Sequence, residues 1–149
     1  MELERTRGKC ADPLKPRPAM SMLAMTERPK LKMRILIIED EAMIAFSIEQ
    51  TLLADGFEIA GIAARLPAAL TMIDSCAFDA AILDTNLAGV SAGPAATALK
   101  SSGRPFIIAS GYPPSQQPEV FRGAPCIQKP YPPKRLIQLL REILPLTRK

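Results

Sequence analysis

From residue 34 onward, short and fully apolar runs alternate with stretches in which apolar side chains recur at helical spacing. The run RILII (34–38) predicts a strand buried on both faces, stopped by Glu39, Asp40 and Glu41. Ile44, Ile48, Leu52 and Leu53 then follow at the spacing of one helix face, and Gly56 stands where a helix C-cap glycine would. Residues 57–63 predict a second strand, 66–75 a helix with Pro67 in its first turn, and 80–83 a third strand ending at Asp84. A loop carrying Gly and Ser leads to a helix near Pro94 to Lys100. Residues 106–109 predict the fourth strand, ending at Ser110, and 126–128 a short fifth, ending at Lys129. Leu136, Leu139, Leu140 and Ile143 mark one face of a last helix, with Pro132 and Pro133 at its start.

Between the fourth and fifth strands the alternation fails. Pro113, Pro114, Pro118 and Pro125 interrupt the segment, and only PEVF (118–121) has room for a turn of helix. The expectation is a shortened or mobile fourth helix. Strands without a polar face, separated by helices, predict a parallel sheet with right-handed crossovers. The fold class is therefore α/β: a doubly wound, five-stranded parallel sheet of the flavodoxin-like kind, with strand order 2-1-3-4-5. Ligands of such sheets sit beyond the carboxyl ends of the strands, where the strand order reverses.

Composition narrows the possibilities. With 149 residues, 48% of them apolar, the chain has material for one ordinary core, assigned to residues 33–149. Residues 1–32 hold eight Lys/Arg against four Asp/Glu, whereas the remainder holds eleven of each, so the whole net charge of +4 lies in the first segment. Four prolines and no sustained period predict a disordered basic extension there, with no nucleic-acid surface on the domain itself. The chain has no histidine, which excludes histidine triads, histidine general bases and a phosphohistidine of its own. Three cysteines without a CxxC pair give no thiolate metal site. No run approaches the roughly 18 apolar residues of a membrane helix, and the N-terminus lacks the apolar stretch of a signal peptide. A cytoplasmic protein without membrane contact is expected.

Glu39, Asp40, Asp84, Ser110 and Lys129 all fall at the carboxyl ends of predicted strands. Under the order 2-1-3-4-5 the first and third strands are neighbours, so the three carboxylates converge. Carboxylates that close repel, and need a cation or shared protons. Mg²⁺ suits them, because it takes hard oxygen ligands and commonly combines one or two carboxylates with a phosphate. Lys129 would bring a point charge to the same place. Singly, each residue has a plainer reading: the acid pair as a helix cap, Asp84 and Ser110 as turn residues, Lys129 as a solvated side chain. Their joint placement in the order acid pair, acid, hydroxyl, lysine favours a phosphoryl site.

That order resembles the receiver domain of two-component response regulators. ILIIEDE (35–41) is similar to the family's first strand with its acid pair, AAILDTNL (80–87) to its third strand with the phosphorylated aspartate, FIIASG (106–111) to its fourth strand with a hydroxyl residue, and IQKPY (127–131) to its Lys-Pro end. The resemblance implies that Asp84 is the phosphoacceptor, taking its phosphoryl group from a sensor histidine kinase or a histidine phosphotransfer protein. It also implies a Mg²⁺ site of Glu39, Asp40, Asp84 and the main-chain carbonyl of Asn86, with Ser110 and Lys129 on the phosphoryl oxygens and a cis bond before Pro130. Such a protein is a signalling module rather than an enzyme, apart from self-catalysed phosphorylation and dephosphorylation.

Many receivers carry a switch aromatic three residues before the lysine, where this chain has Cys126. Its aromatic is Tyr112, two residues after Ser110, so FIIASGY resembles the stand-alone receivers with a Phe-Ala-Thr/Ser-Gly-Tyr type of motif. Ser110 and Tyr112 are then the expected switch pair. The chain stops soon after the last helix, so output is expected through a downstream protein target, or by serving as a phosphate sink or relay, without a DNA-binding domain. Two alternatives stand beside this reading. A Mg²⁺-dependent phosphatase of the haloacid dehalogenase type also uses an aspartate nucleophile, but wants a second aspartate where Asn86 stands. A pseudo-receiver would dock partners without being phosphorylated.

Overall fold

The computed structural model describes residues 32–144; the expected extension over residues 1–32 lies outside them except for Lys32. The order of elements is β1 (Arg34–Ile38), α1 (Ala42–Ala54), β2 (Glu58–Ala63), α2 (Leu66–Ser75), β3 (Ala80–Asp84), α3 (Gly93–Ser101), β4 (Phe106–Ser110), β5 (Cys126–Gln128) and α4 (Pro133–Ile143). The five strands form one sheet in the order β2-β1-β3-β4-β5, and every neighbouring pair is parallel. This is the doubly wound, flavodoxin-like arrangement that the apolar pattern predicts.

The period of two along each strand divides the core. Leu36, Ile38, Ala81, Leu83, Phe106 and Ile108 pack with Ala69, Met72 and Ile73 of α2 and with Ala95, Ala96 and Leu99 of α3. Ile35, Ile37, Ala80, Ile82, Ile107 and Ala109 pack with Ala45, Ile48 and Leu52 of α1 and with Leu136, Leu139 and Leu140 of α4. Each buried Leu or Ile contributes roughly 1.5–3 kcal/mol relative to exposure. With both faces covered, the site is left to the strand ends.

Two local signals set the element boundaries. After α1 the Gly56 N–H donates to the Leu53 carbonyl and the Phe57 N–H to the Leu52 carbonyl, with Gly56 at φ 90°. That double closure needs a left-handed residue, which glycine adopts without a Cβ clash. At the end of α2 the Arg104 guanidinium donates to the carbonyls of Ile73 and Cys76 at 3.1 Å each and lies over the Phe78 ring, meeting the negative end of that helix.

Between β4 and β5 the fourth helix is reduced to two single 3₁₀ turns, Pro114–Gln116 and Glu119–Phe121. Prolines supply neither the N–H groups nor the backbone freedom for a longer helix. The segment is nevertheless attached to the domain. Phe121 is buried in the α2/α3 half of the core, and Lys100 Nζ of α3 donates to the carbonyls of Val120 at 2.7 Å and Arg122 at 2.9 Å. The stretch between β3 and α3, read from sequence as a plain loop, contains a small antiparallel hairpin in which Asn86 pairs with Ser91 and Leu87 with Val90.

Candidate functional site

β1 and β3 lie side by side in register, Ile38 opposite Leu83, so the residues that follow or end them meet at one rim of the sheet. Glu39 extends beyond β1, held by its own N–H to the Ala63 carbonyl at 3.0 Å, and is only 2% exposed. Asp84 is the last residue of β3 and is 8% exposed. One carboxylate oxygen from each of Glu39, Asp40 and Asp84 lies within 4.8 Å of the others. The rim thus gathers three carboxylates.

Lys129 reaches the same place from beyond β5, its main-chain N–H anchored on the Ser110 carbonyl at 2.7 Å. Its Nζ donates to Glu39 Oε2 and to Asp84 Oδ2, each at 3.0 Å. The bond between Lys129 and Pro130 is cis. Ser110 ends β4 fully buried; its Oγ accepts the Tyr112 N–H at 3.1 Å and the Thr85 hydroxyl at 3.4 Å. Tyr112 itself turns outward, 65% exposed, and Cys126 is half-buried on β5 opposite Ile108.

The plainer readings of these residues are partly realised alongside this convergence. Asp84 Oδ1 accepts the Asn86 N–H at 3.2 Å, a local turn contact, while its Oδ2 faces Lys129. Ser110 makes the corresponding turn contact with Tyr112. The acid pair does not cap α1: the N-cap is Glu41, with no side-chain hydrogen bond, and Glu39 turns its Oε2 to Lys129 while Oε1 accepts the Glu41 N–H at 3.2 Å. Asp40 reaches instead across to the hairpin, where its Oδ2 accepts the Ala88 N–H at 3.0 Å.

Burial raises the Glu39 carboxyl to about 7 from its ordinary 4.5, with the Asp84 charge pushing the same way against the Lys129 hydrogen bond. For Lys129, burial works to lower the ammonium's pKa, but the hydrogen bonds to Glu39 and Asp84 outweigh it and the net direction is up. Three carboxylates against one ammonium leave two formal negative charges uncompensated when all are ionised. Hard oxygen donors with that deficit fit a divalent cation such as Mg²⁺. Glu39, Asp40 and Asp84 are the residues that would hold it.

Four contributors escaped the sequence reading. Thr85 touches the Ser110 hydroxyl, the Ala88 amide binds Asp40, Gln117 donates to the Tyr112 carbonyl at 3.0 Å, and Lys100 fastens the 3₁₀ segment. The hairpin carried little local signal, because its turn is Ala88-Gly89 rather than the Asn-Gly or Asp-Gly that marks such loops. The others depend on tertiary placement.

No protein-family model matches the sequence, and no curated protein matches it. Solved structures do. SdrG from Sphingomonas melonis Fr1 superposes with a TM-score of 0.66 at 33% identity, over 75% of this chain and 96% of that one. A CheY-like response regulator receiver domain protein from Methanospirillum hungatei JF-1 gives 0.66 at 29% identity, over 75% of this chain and 93% of that one. The response regulator PhyR from Brucella abortus gives 0.67 at 29% identity, over 77% of this chain but 49% of PhyR. This chain therefore corresponds to about half of PhyR and to nearly the whole of the other two.

Proposed function

Since the chain belongs to the receiver domains of response regulators, we propose that it accepts a phosphoryl group on Asp84 from a histidine kinase or a histidine phosphotransfer protein. The observation that carries this reading is Lys129 Nζ standing 3.0 Å from both Asp84 and Glu39 within the three-carboxylate cluster. The chain has no histidine, so the donor imidazole must come from a partner.

In the transfer, a carboxylate oxygen of Asp84 bonds to phosphorus as the bond from phosphorus to the donor imidazole nitrogen breaks, and that nitrogen keeps the electron pair. Such reactions depend mainly on positioning and charge stabilisation. Asp84 is aimed by its hydrogen bonds to the Asn86 N–H and to Lys129. Lys129 neutralises a phosphoryl oxygen, exchanging its contact with the carboxylates for one with the new group. Ser110 donates its hydroxyl to another oxygen, for which it gives up its present local contacts. Glu39, Asp40 and Asp84, with the Asn86 carbonyl as a further ligand, would hold a Mg²⁺, which would supply charge neutralisation to the transfer.

The transferred group adds roughly −1.5 to −2 charges where two negative charges were already in excess. Moving Ser110 and Lys129 toward it draws on the start of the proline-rich segment. Tyr112 is the side chain best placed to report that movement, being exposed and joined to Ser110 through its own N–H. Output then follows through a protein that reads this surface, or the chain acts as a sink or relay. The phosphatase reading is disfavoured because Asp84 ends the third strand and Asn86, at the general-acid position, accepts the Gly89 N–H with its side chain.

The test is transfer from a phosphorylated histidine phosphotransfer protein in the presence of Mg²⁺. Loss of label from the donor and its appearance on this chain, absent in Asp84→Asn, is expected. Transfer to Asp84→Asn at the wild-type rate, or steady turnover of phosphomonoesters by the wild type, would overturn the assignment.

A further inference from the structure

The hairpin of residues 86–91 follows Asp84 directly and reaches back to the carboxylate of Asp40. Its two loop residues, Ala88 and Gly89, have φ of 55° and 85°. Two successive left-handed residues make the tight turn whose twist suits paired strands. Glycine adopts that conformation freely, whereas alanine does so against the clash of its Cβ. An alanine stays there only where its surroundings hold it.

Those surroundings are specific. Asn86 Oδ1 accepts the Gly89 N–H at 2.8 Å, Leu87 is buried in the core, and the Thr85 carbonyl accepts the Ala92 N–H at 2.9 Å to close the base. From this ribbon two main-chain N–H groups, two residues apart, reach two different carboxylates: Asn86 to Asp84 Oδ1 at 3.2 Å, and Ala88 to Asp40 Oδ2 at 3.0 Å. Asp40 leaves Oδ1 outside this hydrogen bond. Its carboxylate, which has no salt-bridge partner among the described residues, is steered by the Ala88 amide.

Resting on the cation-binding reading of the three carboxylates, we infer that this hairpin is the positioning element of the cation site. The Ala88 amide fixes the rotamer of Asp40, and the Asn86 amide that of Asp84, before a cation arrives. Hydrogen bonds to ligating carboxylates act in this way in metal sites generally, and their loss weakens metal affinity about 10- to 100-fold. Ala88 is a positioning residue through its main chain, so its side chain is irrelevant and its N–H is not.

The experiment is calorimetric titration of Mg²⁺ alone into the wild type, Ala88→Gly, Ala88→Pro and Asn86→Ala. Ala88→Gly keeps the N–H and removes the steric conflict, so its Mg²⁺ affinity should equal or exceed that of the wild type. Ala88→Pro removes the N–H and cannot take a positive φ, and should weaken Mg²⁺ about tenfold or more. Asn86→Ala keeps the main chain but releases the turn, and should weaken Mg²⁺ severalfold with an unchanged circular dichroism spectrum; it serves alone if Ala88→Pro does not fold. Equal affinity in the folded Pro or Asn86→Ala variants and the wild type overturns the inference while leaving the cation site standing. A wild type that binds no Mg²⁺ overturns both.

Discussion

Glu39 is caught between opposite demands. It is 2% exposed, which favours the neutral carboxyl, yet it accepts a hydrogen bond from the Lys129 ammonium, which favours the carboxylate. Burial wins, and the group titrates at about 7 rather than 4.5. A folded-state value above the unfolded one means that the proton stabilises the fold. This contribution is complete below pH 4.5 and disappears as the pH rises toward and through 7. A divalent cation competes for the same carboxylate, so its stabilising effect should grow over the same window. Thermal melts with EDTA and with Mg²⁺ at pH 5, 6, 7 and 8 should show the gap between the two curves widening with pH. A constant gap would contradict the placement of Glu39 at the cation. Titration of Lys129, displaced upward, lies above this window. That Glu39, Asp40, Asp84 and Lys129 come together was legible in the sequence, because strand ends in an open parallel sheet are where side chains converge. The contacts of Asp40 were not, since an acid beside a predicted helix start reads equally as a cap.

At the scale of elements, the apolar runs and the glycine after α1 located every strand of the main sheet and its helices. β2 begins one residue later than the pattern indicated, at Glu58, because Phe57 belongs to the closure of α1. A Cβ added at Gly56 would meet only open space, but φ there is 90°, so Gly56→Ala should cost about 1 kcal/mol through the backbone alone. Chemical denaturation would measure it, and no loss would mean that the closure reorganises. The proline-rich connection is more informative. Its prolines announced the missing helix, but not what secures the replacement, because Phe121 and Lys100 act across the fold. Phe121→Ala should cost about 3 kcal/mol or more, as large-to-small changes in cores do, and should loosen amide protection from Pro114 to Arg122 before that of β1 or β3. Uniform loss of protection throughout the domain would argue that the segment is part of one cooperative unit with the sheet.

At the scale of the whole molecule, the site gathers the ends of four strands, while Tyr112 and the 3₁₀ turns lie on the chain that leaves it. Under the proposed function, this separation would let the transfer and its readout be altered independently. Tyr112→Ala should leave the rate and extent of phosphorylation near the wild-type values and reduce the difference in partner affinity between phosphorylated and unphosphorylated protein. Binding of an identified target to both forms of both proteins checks this, and an undiminished difference in the variant would remove Tyr112 from the switch. None of the described helices is long and apolar enough to cross a membrane. The fold was legible from the sequence because each level agreed: apolar strands, helix-period faces and chain-breaking residues at the boundaries. The small hairpin escaped because two-residue strands carry almost no periodicity, and its contacts with Asp84 and Asp40 are made by main-chain amides that no side-chain pattern displays.

The central claim is that Asp84 forms an acyl phosphate at a cation-bound rim of carboxylates. Incubation with Mg²⁺ and acetyl phosphate, followed by intact mass measurement, tests it most directly. A single phosphoryl adduct is expected on the wild type, lost with EDTA and absent from Asp84→Asn. No adduct on the folded wild type, or an undiminished adduct on Asp84→Asn, would contradict the account.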